Sequence, residues 1–404
     1  MTEAKIARVR APSVAGTALL AAALVILSPL TLAMYGPSMP AMVAAFGVTR
    51  GEIQLTLTVY LVAFALAQLV YGPLNDRFGR RPVAIGGLLV YLLGCLVGGL
   101  AGSIEQMLVA RVLEGVGACA GSASSRAFVR DRFDGAAATR VFSLTGIALA
   151  VAPAAGPLIA GYLQRDHGWQ SIFVALGAAA AMLLLLLWFA MPETLARQDR
   201  RALAPRSVLA SYGKILATRS FLGAALVLAL VSAGTYYYVA LAPFVLIQQL
   251  GLGPERFGQL IPLTMLGYFL ASSAAAAVVG RVSPSRLLAA GLACSLAAAL
   301  GLFLLLHFDA ASVESVLAAL VLWMVGNALI APVTTATALS AFAAQAGRAA
   351  AVLGFAQMLG SGLGALAQAV TSDAWRGLAP VLLVLAAGLL LLALAPRLST
   401  PPAG

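Results

Sequence analysis

Charged residues along this chain are spaced so that long uncharged runs separate them. These runs cover 11–49, 53–75, 82–104, 141–164, 167–192, 220–254, 257–280, 287–308, 315–347, 349–372 and 377–396. Each reaches the roughly 20 mostly apolar residues that an α-helix needs to cross the hydrocarbon of a bilayer. A further stretch, 106–125, is apolar apart from Arg111 and Glu114. The pattern predicts an all-α integral membrane protein with twelve helices, at 14–35, 52–73, 83–102, 105–127, 137–163, 170–191, 221–247, 257–279, 286–306, 313–336, 347–371 and 376–396. An even number of crossings puts both termini on one side. The longest polar break, 193–219, follows Pro192, opens with Glu193-Thr194 and carries six basic residues. It divides the chain into a six-helix bundle over 1–192, a central loop over 193–219 and a second six-helix bundle over 220–404.

Composition agrees with this pattern. Hydrophobic residues make up 62% of the chain and charged ones 10%, against about 25% charged in soluble domains. The net charge of +11 suggests nucleic acid until its placement is considered. With the N-terminus cytoplasmic, twenty Lys and Arg fall in inner loops and tails, and only Arg50, Arg165, Arg256 and Arg376 fall outside. This asymmetry is the positive-inside rule. The partner it implies is the bilayer, with no nucleic acid. The basic start and apolar run resemble a secretory signal, but the run from Val14 to Met34 exceeds the usual 7–15 residues of a signal core. Cys95, Cys119 and Cys294 fall inside spans, and His167 and His307 lie near outer loops, so neither a disulfide framework nor a metal site is expected. No Gly-rich Lys motif for phosphates is present, so ATP is not the expected energy source. No nucleophile–base cluster indicates an enzyme.

The most specific motif is Gly72-Pro73-Leu74-Asn75-Asp76-Arg77-Phe78-Gly79-Arg80-Arg81-Pro82, expected to be a loop between the second and third helices. Its glycines permit a tight turn, its arginines mark the inner surface, and Asp76 stands as an acid among cations. A degraded counterpart, Gly280 to Arg286, follows the eighth helix at the matching place in the other half. On the fifth helix, Ala152-Pro153-Ala154-Ala155-Gly156-Pro157-Leu158-Ile159-Ala160-Gly161 combines bending prolines with small packing residues. Generic close packing explains that run as well. Ala271-Ser272-Ser273-Ala274 on the eighth helix offers a small face to match it.

These segments resemble the major facilitator superfamily, in particular its Bcr/CflA group of drug exporters. The resemblance extends to Met34-Tyr35-Gly36-Pro37-Ser38-Met39-Pro40, Arg111-Val112-Leu113-Glu114-Gly115, Ala242-Pro243-Phe244-Val245-Leu246 and Ala346-Gly347 through Gln357-Met358-Leu359. It implies a major facilitator fold and a monomeric, multi-pass protein of a bacterial cytoplasmic (inner) membrane. The function implied is antiport: small organic molecules leave by alternating access, driven by the proton gradient without a bound cofactor. Conformational gating would fall to Gly72, Asp76, Arg77, Gly79 and Arg80, with Asp131 as a partner for Arg77 or Arg80, and to Gly156 and Pro157. In the family the loop acid, here Asp76, helps lock the halves together at the inner side. Ala33 departs from the pattern, because many members carry an acid there.

Arg111 and Glu114 are the charges placed well inside a span. Counted from Glu105 at about 1.5 Å per residue, they lie roughly 9 and 13 Å into the membrane, on one helix face. A charge at that depth costs at least ~2.5–3.5 kcal/mol, so such residues face a cavity or each other. They are therefore either a mutually neutralised structural pair or a proton-coupling pair in which Glu114 carries the proton. The resemblance favours the second, because Arg111 matches an arginine tied to proton coupling. Tyr35, Tyr60, Gln68, Tyr236, Tyr237, Tyr238, Asn327 and Gln357 are polar groups within spans and candidates for lining a substrate cavity. Two cargoes stay open: drugs, or an endogenous metabolite such as a siderophore or amino acid. An importer and a membrane-embedded sensor are the less favoured alternatives.

Overall fold

Gly and Pro punctuate a structure made of membrane-length helices. The computed structural model describes residues 14–133, 135–195, 198, 212–278, 281–340, 342, 346–371 and 380–388. Helix α1 (Val14–Tyr35) continues through a 3-10 turn at Gly36–Ser38 into α2 (Met39–Phe46). Pro37 and Pro40 sit in the first turn of their segments, where a missing N–H removes no intrahelical bond. Gly47, at φ 64°, ends the run. Helix α3 (Arg50–Phe78) starts at a reciprocal capping box between Thr49 and Glu52. It is followed by α4 (Arg80–Gly99), α5 (Ile104–Arg130), α6 (Gly135–His167) and α7 (Gln170–Ala190).

The second half begins with α8 (Arg219–Pro243), which ends in a π-helical turn at Phe244–Gln249. The predicted eighth span is split by Pro262 into α9 (Pro254–Leu260) and α10 (Pro262–Val278). Next come α11 (Pro284–His307), α12 (Val313–Ser340) and α13 (Ala346–Val370). The last span is described over 380–388, where it is helical (α14), and the rest of 376–396 lies outside the described residues. Among the described residues, ten helical runs are long and apolar enough to cross a membrane. Helix α5, with its internal charges, is the predicted fourth span, and the nine described residues of α14 fall within the predicted twelfth.

One expectation is corrected. Residues Gly72–Phe78 are not loop but the last turns of α3, with Pro73 inside the helix. Proline is tolerated in a membrane helix where neighbours satisfy the freed backbone. The break comes at Gly79, whose φ of 101° no side-chain-bearing residue adopts easily. Most of the central loop, 196–197 and 199–211, lies outside the described residues, as do 279–280 of the degraded counterpart motif.

Helices α1 and α3–α7 share one buried apolar cluster. The second bundle is built around Tyr237, Tyr238, Leu302, Trp323 and Val384. Small residues set the closest contacts, and they recur in both halves. A Cβ on Gly117 of α5 would lie 2.6 Å from the Gly87 carbonyl oxygen of α4. A Cβ on Gly326 of α12 would lie 2.7 Å from the Gly291 carbonyl oxygen of α11. Main chain therefore meets main chain between the third and fourth spans of each half, the close approach that drives helix association in lipid. The internal repeat, weak in the loops, is preserved in this packing.

The bundles touch at both ends. At the arginine-rich end, Tyr212 OH donates to the Leu69 carbonyl (3.1 Å), and the face of Gly354 on α13 lies against Gln68 on α3. At the opposite end, Gln54 Nε2 donates to the Ala240 carbonyl (3.0 Å) and Gln259 Nε2 donates to Tyr162 OH (2.8 Å).

Candidate functional site

A chamber of about 770 Å3 lies between the two bundles. The first bundle contributes α1, with Pro29, Leu32 and Ala33, the following turn, with Gly36, and α6, with Ala150, Pro153 and Pro157. The second contributes α8, α10 and α12, with Tyr236, Tyr238, Tyr268, Met324 and Asn327 among others. Gly156 draws α6 onto α1, since a Cβ there would lie 2.7 Å from the Ala33 Cβ. No Asp, Glu, Lys, Arg or His is among the lining residues described. The volume and the apolar, aromatic wall suit a drug-sized organic molecule.

Arg111 and Glu114 lie outside that lining. Both are 0% exposed, and Arg111 Nη1 donates to Glu114 Oε2 at 2.6 Å. The guanidinium lies between two aromatic faces, 4.2 Å from the Tyr35 ring centroid and 4.5 Å from that of Tyr60. Desolvated cation–π contacts of this kind contribute about 2 kcal/mol. Cys95 Sγ donates to Glu114 Oε1 at 3.5 Å, and Gly94 gives α5 the space that Glu114 occupies. Arg111 Nε and Nη2 are buried without a hydrogen-bond partner. A buried pair with two unmet donors is costly for its bundle. It is therefore a poor device for stability alone.

Helix α1 separates the pair from the chamber, and its periodicity explains how. Residues 29, 32, 33 and 36 line the chamber. Ser28, Thr31 and Tyr35 point to the adjoining face, toward α3 and α4: Tyr60 OH reaches Ser28 Oγ (3.4 Å), Thr31 bonds Tyr91 OH, and Tyr35 OH bonds Thr56 Oγ1 (2.6 Å). At 3.6 residues per turn the two sets are centred roughly a third of a turn apart, with Leu32 at their border. One helix thus touches the chamber on one side and the ion pair on the other.

Of the eight cavity candidates, Tyr236, Tyr238 and Asn327 line the chamber, and Tyr35, Tyr60, Gln68, Tyr237 and Gln357 do not. Tyr35 and Tyr60 are committed to Arg111. Tyr237 is fully buried in the core of the second bundle, edge-on to Tyr238. Gln68 sits where α3, α5 and α13 meet. With its amide turned to suit its neighbours, its nitrogen donates to the Gly354 carbonyl (3.3 Å) and its oxygen accepts from Arg126 Nη2 (3.2 Å). Gln357 is half-buried on α13, and its carbonyl accepts from Ser361 Oγ (2.9 Å). The small face of the eighth span also differs from expectation. Ser272 and Ser273 line the chamber, while α9 packs on α6 instead, with Gly258 against the Pro157 carbonyl.

At the arginine-rich end, Asp131 accepts from Arg80 Nε (2.7 Å) and Nη2 (3.2 Å), and Asp76 Oδ1 lies 3.1 Å from Arg80 Nη1. Arg80 Nη1 also donates to the Asn75 carbonyl at 2.7 Å. Arg77 stacks near Phe78, its guanidinium carbon 5.9 Å from that ring's centroid. Gly72, on the last turns of α3, has open space beside it. Sequence reading missed Glu193. Its carboxylate accepts from the backbone N–H groups of Arg80 (3.0 Å) and Arg81 (3.1 Å) at the start of α4, and Gly79 leaves the room it fills. A carboxylate on the first free N–H groups of a helix is favourable. Asp131 also accepts from Thr194 Oγ1 (2.9 Å), so the chain after α7 is pinned to α4 and α5. The acid-after-proline of Pro192-Glu193 was the available signal, but nothing in the sequence aimed it at α4.

Two helical bundles enclosing a chamber within the membrane define a transporter. The chain belongs to the Major Facilitator Superfamily, whose sequence profile matches residues 21–365. Over 245 residues it is 34% identical to the uncharacterized MFS-type transporter YdgK of Bacillus subtilis (strain 168), covering 60% of this chain and 61% of that one. It is 40% identical over 183 residues to the chloramphenicol resistance protein of Pseudomonas aeruginosa, covering 45% of this chain and 44% of the relative. It is 32% identical over 225 residues to the multidrug transporter MdfA of Yersinia pestis bv. Antiqua (strain Angola), covering 56% and 55%. The matches thus span about half the length of these relatives. Among solved structures, the xylose transporter XylE from E. coli, in a partially occluded inward-open conformation, shares the fold. Its TM-score is 0.74 at 14% identity, covering 96% of this chain and 98% of that one.

Proposed function

We propose that this chain exports small organic molecules in exchange for protons, by alternating access to the chamber between its bundles. The observation that carries this reading is α1, shared by the chamber on one face and by the buried pair on the other. A proton on Glu114 ends its ion pair with Arg111 and leaves the guanidinium held by Tyr35 and Tyr60. Both tyrosines sit on helices that must adjust, and on α1 that adjustment reaches Ala33 and Gly36 in the chamber wall. Cargo and proton thereby compete through one helix without sharing a site, a coupling that acts equally in both directions.

The names of the partial relatives support a drug-type cargo. The arginine bias supports a multi-pass protein of a bacterial inner membrane with both termini cytoplasmic. Asp76, Arg80, Asp131 and Gly79 then lie at the cytoplasmic end as the gating cluster, with 193–219 linking two six-helix domains. We propose that each monomer works alone. A second reading keeps the machine and makes the cargo an endogenous metabolite. It is favoured by the uncharged chamber wall at Ala33.

Flux in inside-out vesicles tests the direction and the coupling. Vesicles acidified inside are expected to accumulate radiolabelled chloramphenicol, and nigericin is expected to abolish that accumulation. Uptake indifferent to nigericin refutes proton exchange. Uptake only under the reversed gradient makes the protein an importer.

A further inference from the structure

The chamber wall holds a polar cluster joined through the hydroxyl of Thr235. Thr235 on α8 donates its single hydroxyl hydrogen to the Val231 carbonyl at 3.1 Å. Its Oγ1 therefore has only acceptor capacity left for its other neighbours. Trp323 Nε1, a donor only, fills one lone pair at 3.0 Å. Asn327, one turn further along α12, meets the same oxygen at 3.1 Å. Asn327 Nδ2 donates to it while the Thr235 hydrogen stays on Val231, an orientation that leaves the amide oxygen free of both neighbours. Gly234 makes the arrangement possible, because any side chain there collides with the Trp323 ring.

With Nδ2 committed to Thr235, Asn327 is left with a carbonyl oxygen that takes no hydrogen bond from the described residues. Asn327 lines the chamber. Around it stand Tyr236, Tyr268, Phe269, Met265 and Met324, aromatic and sulfur-bearing surfaces that suit a flat ring. Tyr238, also on the wall, keeps a buried hydroxyl without a partner. No lining residue bears a charge, and the buried acid of the first bundle, Glu114, is closed off behind α1 and neutralised by Arg111. A cation entering this chamber leaves its hydration shell and finds no counter-charge, which is strongly unfavourable.

We propose that the chamber selects an uncharged aromatic molecule whose hydroxyl or amide N–H donates to Asn327 Oδ1, held in register by Thr235 and Trp323. The proposal rests on the reading of the chamber as the cargo site and adds the cargo's chemical class. It assigns specificity to the second bundle, whereas the coupling pair belongs to the first. A site built around a hydrogen-bonding partner rejects analogues that lack the donor, because its own polar group is then left unmet.

The test is equilibrium binding to the purified full-length protein with two probes. Chloramphenicol is an uncharged nitrophenyl amide with hydroxyl donors, and tetraphenylphosphonium is an aromatic cation with none. The wild type is expected to bind chloramphenicol, with no displacement by tetraphenylphosphonium. Asn327→Ala is expected to weaken chloramphenicol binding about tenfold, the equivalent of one hydrogen bond to cargo. Asn327→Asp places a carboxylate in the chamber and is expected to gain tetraphenylphosphonium binding. This gain cannot arise from misfolding. Wild-type affinity in Asn327→Ala, or cation binding by the wild type as tight as that of chloramphenicol, overturns the proposal. So does failure of the wild type to bind chloramphenicol. Ala150→Trp, which fills the chamber from α6, separates the cargo site from its selectivity. Binding retained there overturns the chamber as cargo site. Binding lost there but unchanged in Asn327→Ala overturns only the assigned selectivity.

Discussion

Glu114→Gln is expected to bring pH-gradient-driven transport down to the level seen without a gradient, while chloramphenicol binding stays near its wild-type value. The substitution is nearly isosteric. The amide oxygen can still accept from Arg111 Nη1, which in the native protein donates to Glu114 Oε2 at 2.6 Å. What disappears is the proton-accepting group. The uncompensated Arg111 cation is still held by the Tyr35 and Tyr60 faces, 4.2 and 4.5 Å away, so the bundle is expected to fold. Gradient-driven accumulation and equilibrium binding in the same preparation check this. Wild-type accumulation by Glu114→Gln removes the proton role assigned to this carboxylate.

Arg111→Ala is expected to have the largest effect on stability. It strands the Glu114 carboxyl in a site with 0% exposure and empties the space between two tyrosine rings. Breaking a buried pair from one side typically costs about 3–5 kcal/mol. For a helical bundle of this size that corresponds to a fall in melting temperature of roughly 10 °C. Adding Glu114→Ala to Arg111→Ala is expected to restore part of the loss, because the stranded group goes too, and the double-mutant cycle isolates the pair's coupling. Thermal unfolding of all three variants in detergent provides the comparison. A single mutant as stable as the wild type contradicts the packing described for this pair.

Much of the architecture was legible because lipid imposes it: charges could be tolerated only between spans, so their spacing marked the helices. The shared face of Arg111 and Glu114 followed from their three-residue spacing alone. Their seclusion did not. Whether Tyr35 belonged to the chamber or to the pair depends on which face of α1 meets α3 and α5, and no charge on α1 marks either face. The hydroxyl-bearing residues 28, 31 and 35 are the ones a sequence reader assigns to a cavity, yet 29, 32, 33 and 36, which are Pro, Leu, Ala and Gly, line it. Gly72–Phe78 read as loop because Gly-Pro is a breaker in water, whereas the buried partners of α3 carry the helix past it. The Thr235–Trp323–Asn327 cluster joins residues 92 positions apart, and no local signal connects them. Gly360 and Gly364, four apart, pack one face of α13 against α8 at Ala229 and Ala233.

In the proposed mechanism, a charge hidden in the first bundle answers to cargo in a chamber that it does not touch. Proton release on binding reports that link without any intervening step. Purified protein in weak buffer, at a pH low enough for Glu114 to carry a proton before cargo arrives, receives saturating chloramphenicol while a pH indicator is followed. Wild-type protein is expected to release protons on binding, and Glu114→Gln to bind without releasing any. Equal release from both, or none from the wild type, contradicts the coupling through α1.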